Sequence, residues 1–323
     1  MFSHQLPRIH SMSGMLVLTS WSTSIGKNRG KLLRSVIEGL PDSHPSKARC
    51  LAKLSRLFQS VGNVEERKQL LIRTLTLERE RGNVFRVAQS LRRLSDVNRT
   101  LGLSREGIQQ AEEALEIYKR LGDTLEEANC LRSLARLFVK DNQLDAAEVA
   151  ALRSIDLLSE KGQEYQVCRS HRLLGNIYRS KGEEEKAIHR LETALTIASP
   201  PNWHSELFSI HYDMASLFFD EGKFDNANTH IEQAKSHVVD DAYYLGRGME
   251  MQAWIWDGQG RLEEARSEAL RTLEIYERLG AARDAKRFRL FLQEIGKPSG
   301  SHVPDESDSG SKFSRRNTVF NPF

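Results

Sequence analysis

Residues suited to a left-handed turn recur at twenty-residue intervals along this chain: Gly62, Gly82, Gly102, Gly122, Asn142, Gly162, Gly182, Asn202 and Gly222. Glycine lacks the Cβ that makes positive φ costly, and Asn tolerates it better than most side chains, so these positions read as helix ends. Between them the apolar residues keep a helical period; Ala111, Ala114, Leu115 and Tyr118 form one stripe among Glu, Lys and Arg. A helix of about four turns and a short turn fill each interval, and two intervals make a helical hairpin. The chain is thereby constrained to an all-α array in which each hairpin buries its apolar face against the next.

Side-chain columns carry the same pattern at forty-residue spacing. Leu54, Leu94, Leu134, Leu174 and Met214 form one column, followed by small residues at Ser55, Ser95, Ala135, Gly175 and Ala215. Phe58, Asn98, Phe138, Tyr178 and Phe218 come four residues after the Leu column. In the second helix, Thr74, Ala114, Ser154, Ala194 and Ala234 form a further small column. A sixth unit follows after a two-residue contraction, with Ala253, Trp256, Gly260, Ala265 and Thr272 in register, and an amphipathic segment over 284–295 reads as a closing helix. Large residues facing small ones let neighbouring helices approach closely, so these columns are read as packing and not as an active site.

Composition sets limits on function. The 47 basic and 44 acidic residues leave a net charge of only +3, and residues 47–295 taken alone are net −1. A dedicated nucleic-acid binder would need a concentrated basic surface, so nucleic acid is a disfavoured partner. Three cysteines, Cys50, Cys130 and Cys168, fit a reduced compartment and not a disulfide scaffold. The longest apolar run, at 15–18, falls far short of the roughly 20 residues that span a bilayer. A cytoplasmic protein is expected. The first 37 residues carry seven serines and no acid, a composition shared by mitochondrial transit peptides and by unstructured extensions.

The string Leu174-Gly175 followed by Tyr178, Gly182, Ala187 and Ala194 resembles the tetratricopeptide (TPR) consensus at the matching separations, and five further units match it less completely. The unit is forty residues, not the usual thirty-four, and lacks the closing proline, which is similar to the repeats of kinesin light chains and MalT-like proteins. Arg120-Leu-Gly-Asp123, Ala128-Asn-Cys-Leu131 and the stretch 171–178 also resemble the C-terminal repeats of fungal STAND-type signalling ATPases. The resemblance implies a right-handed superhelical solenoid of six hairpins plus a closing helix over 47–295. Before it stands a poorly structured segment, 1–46, with a short helix near 31–40; after it comes a disordered tail, 296–323. A phosphate loop is missing: Gly26-Lys-Asn-Arg-Gly-Lys-Leu32 has the wrong spacing and no hydroxyl for Mg²⁺. Two alternatives stay open, a stand-alone scaffold and a sensor or autoinhibitory repeat region whose NTPase lies outside this chain.

The same resemblance implies a concave groove lined by the first helix of each pair. Positions beside the Leu column place Arg49, Arg56, Arg92, Arg99, Arg132, Arg136, Arg169, Arg172 and Arg179 on it, with Asn176, and then the aromatics Tyr212, Phe219 and Trp254. In these rows of the first four repeats Asp96 is the one opposing acid. Arginine rather than lysine suits bidentate recognition of carboxylate or phosphate, so the expected ligand is an extended acidic or phosphorylated segment. The competing reading is that these arginines pair with acids of adjoining helices. Arg172 and Asn176 also stand at the spacing of a carboxylate clamp, but Asp213 in the next repeat would repel a carboxylate.

Other signals point to structure. His171 and His211, forty residues apart, have no third ligand for a metal, and the cysteines read as small packing residues. No nucleophile–base–orienter set is visible, so the chain is read as non-enzymatic, without cofactor or metal. In the tail, Arg315-Arg316-Asn317-Thr318 resembles a basophilic-kinase site with Thr318 as acceptor, and Asn321-Pro322-Phe323 resembles the tripeptide bound by EH domains.

Overall fold

The computed structural model describes residues 30–60, 63–198, 203–239 and 241–295. Gly62, Asn202, the segment 1–29, and the tail with Thr318, Asn321, Pro322 and Phe323 lie outside the described residues. A helix over 30–39 (α1) precedes α2 (Ser46–Ser60), α3 (Val64–Glu80), α4 (Val84–Thr100), α5 (Ser104–Leu121), α6 (Thr124–Lys140), α7 (Leu144–Ser159) and α8 (Glu164–Lys181). Then come α9 (Glu184–Ile197), α10 (His204–Asp220), α11 (Phe224–Ser236), α12 (Ala242–Gly258), α13 (Leu262–Arg278) and α14 (Ala282–Glu294). No strand occurs among the described residues.

The turn spacing is realised in the backbone. Gly82, Gly102, Gly122, Gly162, Gly182, Gly222, Gly260 and Gly280 all have φ between 61° and 76°, and Asn142 stands at 58°. Helix starts are fixed by short polar side chains: Asn63, Asn83 and Asp123 accept from the backbone N–H three residues on, at 3.2, 3.2 and 3.1 Å. Each such cap satisfies one of the N–H groups left orphaned in a helix's first turn.

The helices fall into two compact units, Met1–Leu121 and Gly122–Phe323. In the first, α2–α3 and α4–α5 are antiparallel hairpins. Helix α1 covers the outer face of this unit: Ile37 is buried with Ala48, Leu51, Leu54 and Leu77, and Leu33 packs against them. Arg81 holds the linker behind α1 by donating from Nη2 to the carbonyls of Asp42 (3.0 Å) and His44 (2.6 Å). The second unit contains the hairpins α6–α7, α8–α9, α10–α11 and α12–α13, with successive first helices also in contact. Helix α14 closes it, burying Phe288 against Trp254 and Tyr276 at ring separations of 6.0 and 6.1 Å.

Within that unit the small column sets how near two helices come. A Cβ on Gly175 would lie 2.8 Å from Leu191 Cγ, so α8 and α9 meet at a distance that only glycine permits without displacement. Ala135, Ala187, Ala194, Ala215, Ala227 and Ala234 are all fully buried. Ser154, in the same column as Ala194, compensates its hydroxyl by donating to the Ala128 carbonyl at 3.0 Å.

Candidate ligand-binding face

In the second unit the arginines of the first helices meet acids of the following first helix. Arg172 on α8 reaches two carboxylates of α10: Nε lies 2.8 Å from Glu206 and Nη1 lies 3.2 Å from Asp213. Asn176, one turn on, donates to the same Asp213 oxygen at 2.7 Å. Arg169 approaches Glu206 at 3.7 Å, and Arg179 approaches Asp220 at 3.6 Å. Glu206 and Asp213 are both 4% exposed, so their desolvation is offset by these charged partners and not by water. Burial alone would depress the Arg172 pKa, but Asp213 and Glu206 more than offset it, and the group is held above its ordinary value. Its side chain nevertheless remains 21% exposed, and that of Arg169 30%. Arg132 is buried and donates to Asn129 at 2.9 Å, while Arg136 is half-buried.

The aromatic end of the expected groove is packed inside. Tyr212 and Trp254 are each 4% exposed and belong to the core cluster of the unit, with Phe219 partly buried against it. Tyr212 lies under the Arg247 guanidinium, 4.4 Å from its ring centroid. Arg247 in turn approaches Glu250 at 3.9 Å, and the Tyr276 hydroxyl donates to Glu250 at 2.6 Å. Arg287 of α14 completes the shell of Glu250, which is fully buried. Burial raises the Glu250 pKa, and the two guanidinium groups and the Tyr276 hydroxyl oppose that rise. The bulky side chains at these groove positions thus serve the interface with the next hairpin or with the closing helix.

The first unit is different. Asp96 lies 3.9 Å from Arg92 and acts on Arg67, as does Arg99, while the guanidinium groups of Arg56, Arg92 and Arg86 act on Arg93. Sequence reasoning passed over Arg67, Arg86 and Arg93 because they lie outside the rows next to the Leu column. It also missed Glu206, Asp220 and Arg287 as partners; the forty-residue register was the signal that could have found them.

The histidines form a cluster within the second unit. His211 stacks on His230 and on His237 at ring separations of 5.5 and 5.7 Å, and its Nδ1 lies 3.2 Å from that of His230. Burial lowers the pKa of His211 to about 4, reinforced by His230 and His237, and lowers that of His171 likewise to about 4. Cys50, Cys130 and Cys168 form no disulfide, and burial pushes the Cys168 thiol up to about 12, the opposite of an activated nucleophile. Among the described residues no group of three or more His, Cys, Asp or Glu is arranged to hold a metal ion, and no helix is long and apolar enough to cross a membrane.

Residues 86–160 match one tetratricopeptide repeat model, and residues 169–200 match another. No curated protein sequence matches the chain significantly. Among solved structures the chain is similar to a Rap protein complexed with Competence and Sporulation Factor, with a TM-score of 0.60 at 14% identity, over 82% of this chain and 78% of that one. It is also similar to a tetratricopeptide repeat protein from Parabacteroides merdae, with a TM-score of 0.60 at 14% identity, over 86% and 96% of the two chains. A kinesin light chain-type protein of Podospora anserina with nearly identical TPR-like repeats gives a TM-score of 0.50 at 18% identity, over 60% and 96%. The fold is therefore an all-α array of tetratricopeptide-type repeats, an architecture suited to a protein-interaction scaffold.

Proposed function

We propose that this protein is a non-catalytic interaction scaffold whose first-helix face binds an extended acidic or phosphorylated segment of a partner. The observation that supports this reading is the gathering of Arg56, Arg86 and Arg93 in the first unit, whereas Arg172 of the second unit is taken up by Glu206 and Asp213 of its own chain. Arg169 and Arg172 keep part of their side chains open to solvent. Arg49 and Arg56, in the same rows of the first unit, offer such planar donors to a carboxylate or phosphate of a partner. The complex of a structurally similar Rap protein with Competence and Sporulation Factor supports the use of such an array as a receptor.

The test is a peptide array probed with the full chain. Acidic and phosphorylated sequences should bind above neutral and basic ones, and the binding should weaken as salt is added. The double variant Arg92→Gln/Arg99→Gln should lose most of that preference while its circular dichroism stays helical. Equal binding of basic and acidic peptides, or a preference untouched by the double variant, would refute the proposed face.

A further inference from the structure

Helices α4 (Val84–Thr100) and α10 (His204–Asp220) occupy the same place in the repeat, three repeats apart and residue for residue. On α10, Glu206 and Asp213 point at the preceding first helix and supply two negative charges to Arg169, Arg172 and Asn176. The equivalent positions on α4 hold Arg86 and Arg93, and the equivalent of Asn176 is Arg56 on α2. The two acids of this slot are therefore replaced by arginines in the first unit, where Ala52 stands at the Arg172 position.

Arg93 is half-buried, and the groups that act on it most strongly are the guanidinium groups of Arg56 and Arg92, the Tyr118 phenol and the guanidinium of Arg86. Burial first, and then these like charges, hold its pKa below the ordinary arginine value. Among the described residues neither Arg56 nor Arg93 has a carboxylate in ion-pair contact. Asp96, the acid on this side, lies 3.9 Å from Arg92 and also acts on Arg67. Like charges gathered at a partly desolvated interface raise one another's free energy, and an anion from outside relieves all of them together.

We propose that Arg56, Arg86 and Arg93 form a binding site for the phosphoryl group of a phosphorylated peptide segment. The phosphoryl group supplies from outside the two negative charges that Glu206 and Asp213 supply from within. A phosphomonoester carries close to two negative charges at neutral pH and presents three acceptor oxygens to planar guanidinium forks. A single carboxylate brings half that charge. This inference rests on the reading of the first-helix face as the working surface, and it names the chemical group and the unit that receives it.

The experiment uses the full chain and two probes, inorganic phosphate and a phosphoserine peptide, with the unphosphorylated and Ser→Glu peptides as controls. At constant ionic strength phosphate should raise the melting temperature above the value in chloride, as a ligand of the folded state must. The phosphopeptide should bind at least about tenfold more tightly than its Glu counterpart, reflecting the stronger charge-assisted hydrogen bonds of a dianion. Arg93→Ser should abolish both effects, with its unliganded melting temperature no lower than that of the parent; Arg56→Gln, at an exposed position, should weaken both without perturbing the fold. Phosphate acting no differently from chloride would overturn the site, as would a phosphate effect that survives in Arg93→Ser. Stabilisation by inorganic phosphate without binding of the phosphopeptide would overturn the peptide as its source. Acidic peptides binding parent and Arg93→Ser equally would overturn this site and leave the broader reading standing. No binding of any peptide would overturn both.

Discussion

Helices α4 and α10 are built on one template and carry opposite charges at two matched positions, Arg86 and Arg93 against Glu206 and Asp213. In the second unit the resulting slot is closed by its own chain, with Arg172 between two carboxylates. In the first, a half-buried arginine has other arginines for neighbours. The difference teaches that the repeat scaffold is indifferent to the sign of these positions. Packing between hairpins rests on apolar columns and buried alanines, so the polar positions beside them are free to serve either cohesion or recognition.

The largest effect that would sharpen this contrast lies in the second unit. Glu250→Ala leaves the half-buried Arg247 and Arg287 and the buried Tyr276 hydroxyl around an empty place. A loss of about 3–5 kcal/mol is expected for breaking such a buried pair, seen as a lower urea midpoint. Trp254 and Trp256 both report on this unit, so the intrinsic fluorescence transition should move while the first unit's peptides keep their hydrogen-exchange protection.

Acid should act on the same side of the comparison. His171 and His211 have pKa values lowered by burial to about 4, against 6.5 in an unstructured chain. The unfolded state then binds more protons between those values, so the stability they confer is complete above pH 6.5 and is lost as pH falls towards 4. At pH 5 the loss amounts to about 2 kcal/mol per imidazole, concentrated in α8 to α11. Among the described residues the first unit's histidine is the exposed His44. Its helices should therefore lose less protection than those of the second unit in a hydrogen-exchange series from pH 7 to pH 5, after correction for the intrinsic exchange rate.

Smaller, and opposite in sign between the two units, are the matched substitutions Asp213→Ala and Arg93→Ser. Asp213→Ala removes an acceptor from Asn176 and Arg172, with a cost of roughly 1–3 kcal/mol because Glu206 still holds Arg172. Arg93→Ser relieves repulsion and should leave stability unchanged or raise it by up to about 1 kcal/mol. A large loss from Arg93→Ser in phosphate-free buffer would erase the distinction between the units. The weakest effect belongs to the exposed pair Arg79 and Glu113, 2.6 Å apart, whose double neutralisation should cost less than about 1 kcal/mol.

Much of the architecture was legible in the sequence because its signals are local. A glycine or asparagine every twenty residues is read directly as a positive-φ helix end, and Gly82 through Gly222 have that conformation wherever they are described. Gly175 was legible as a close approach of two helices because its column is small throughout. Tyr212 and Trp254 were not legible as core, since their row position says which face they start from but not which neighbour a long ring folds against. Both turn towards the next hairpin or the closing helix, under Arg247 and beside Phe288. Nor could the rows show that Arg172 is neutralised while Arg93 is not. That depends on a position forty-one residues ahead in one case and thirty-seven behind in the other, a relation visible only once the helices are stacked.

The central claim is that the first unit holds an unfilled anion slot where the second unit fills the equivalent slot itself. Hydrogen exchange of the full chain, with and without inorganic phosphate at fixed ionic strength, tests it most directly. The account predicts added protection in α2 and α4 and none in α8 and α10. Protection appearing in α8 and α10, or in neither pair, would contradict it.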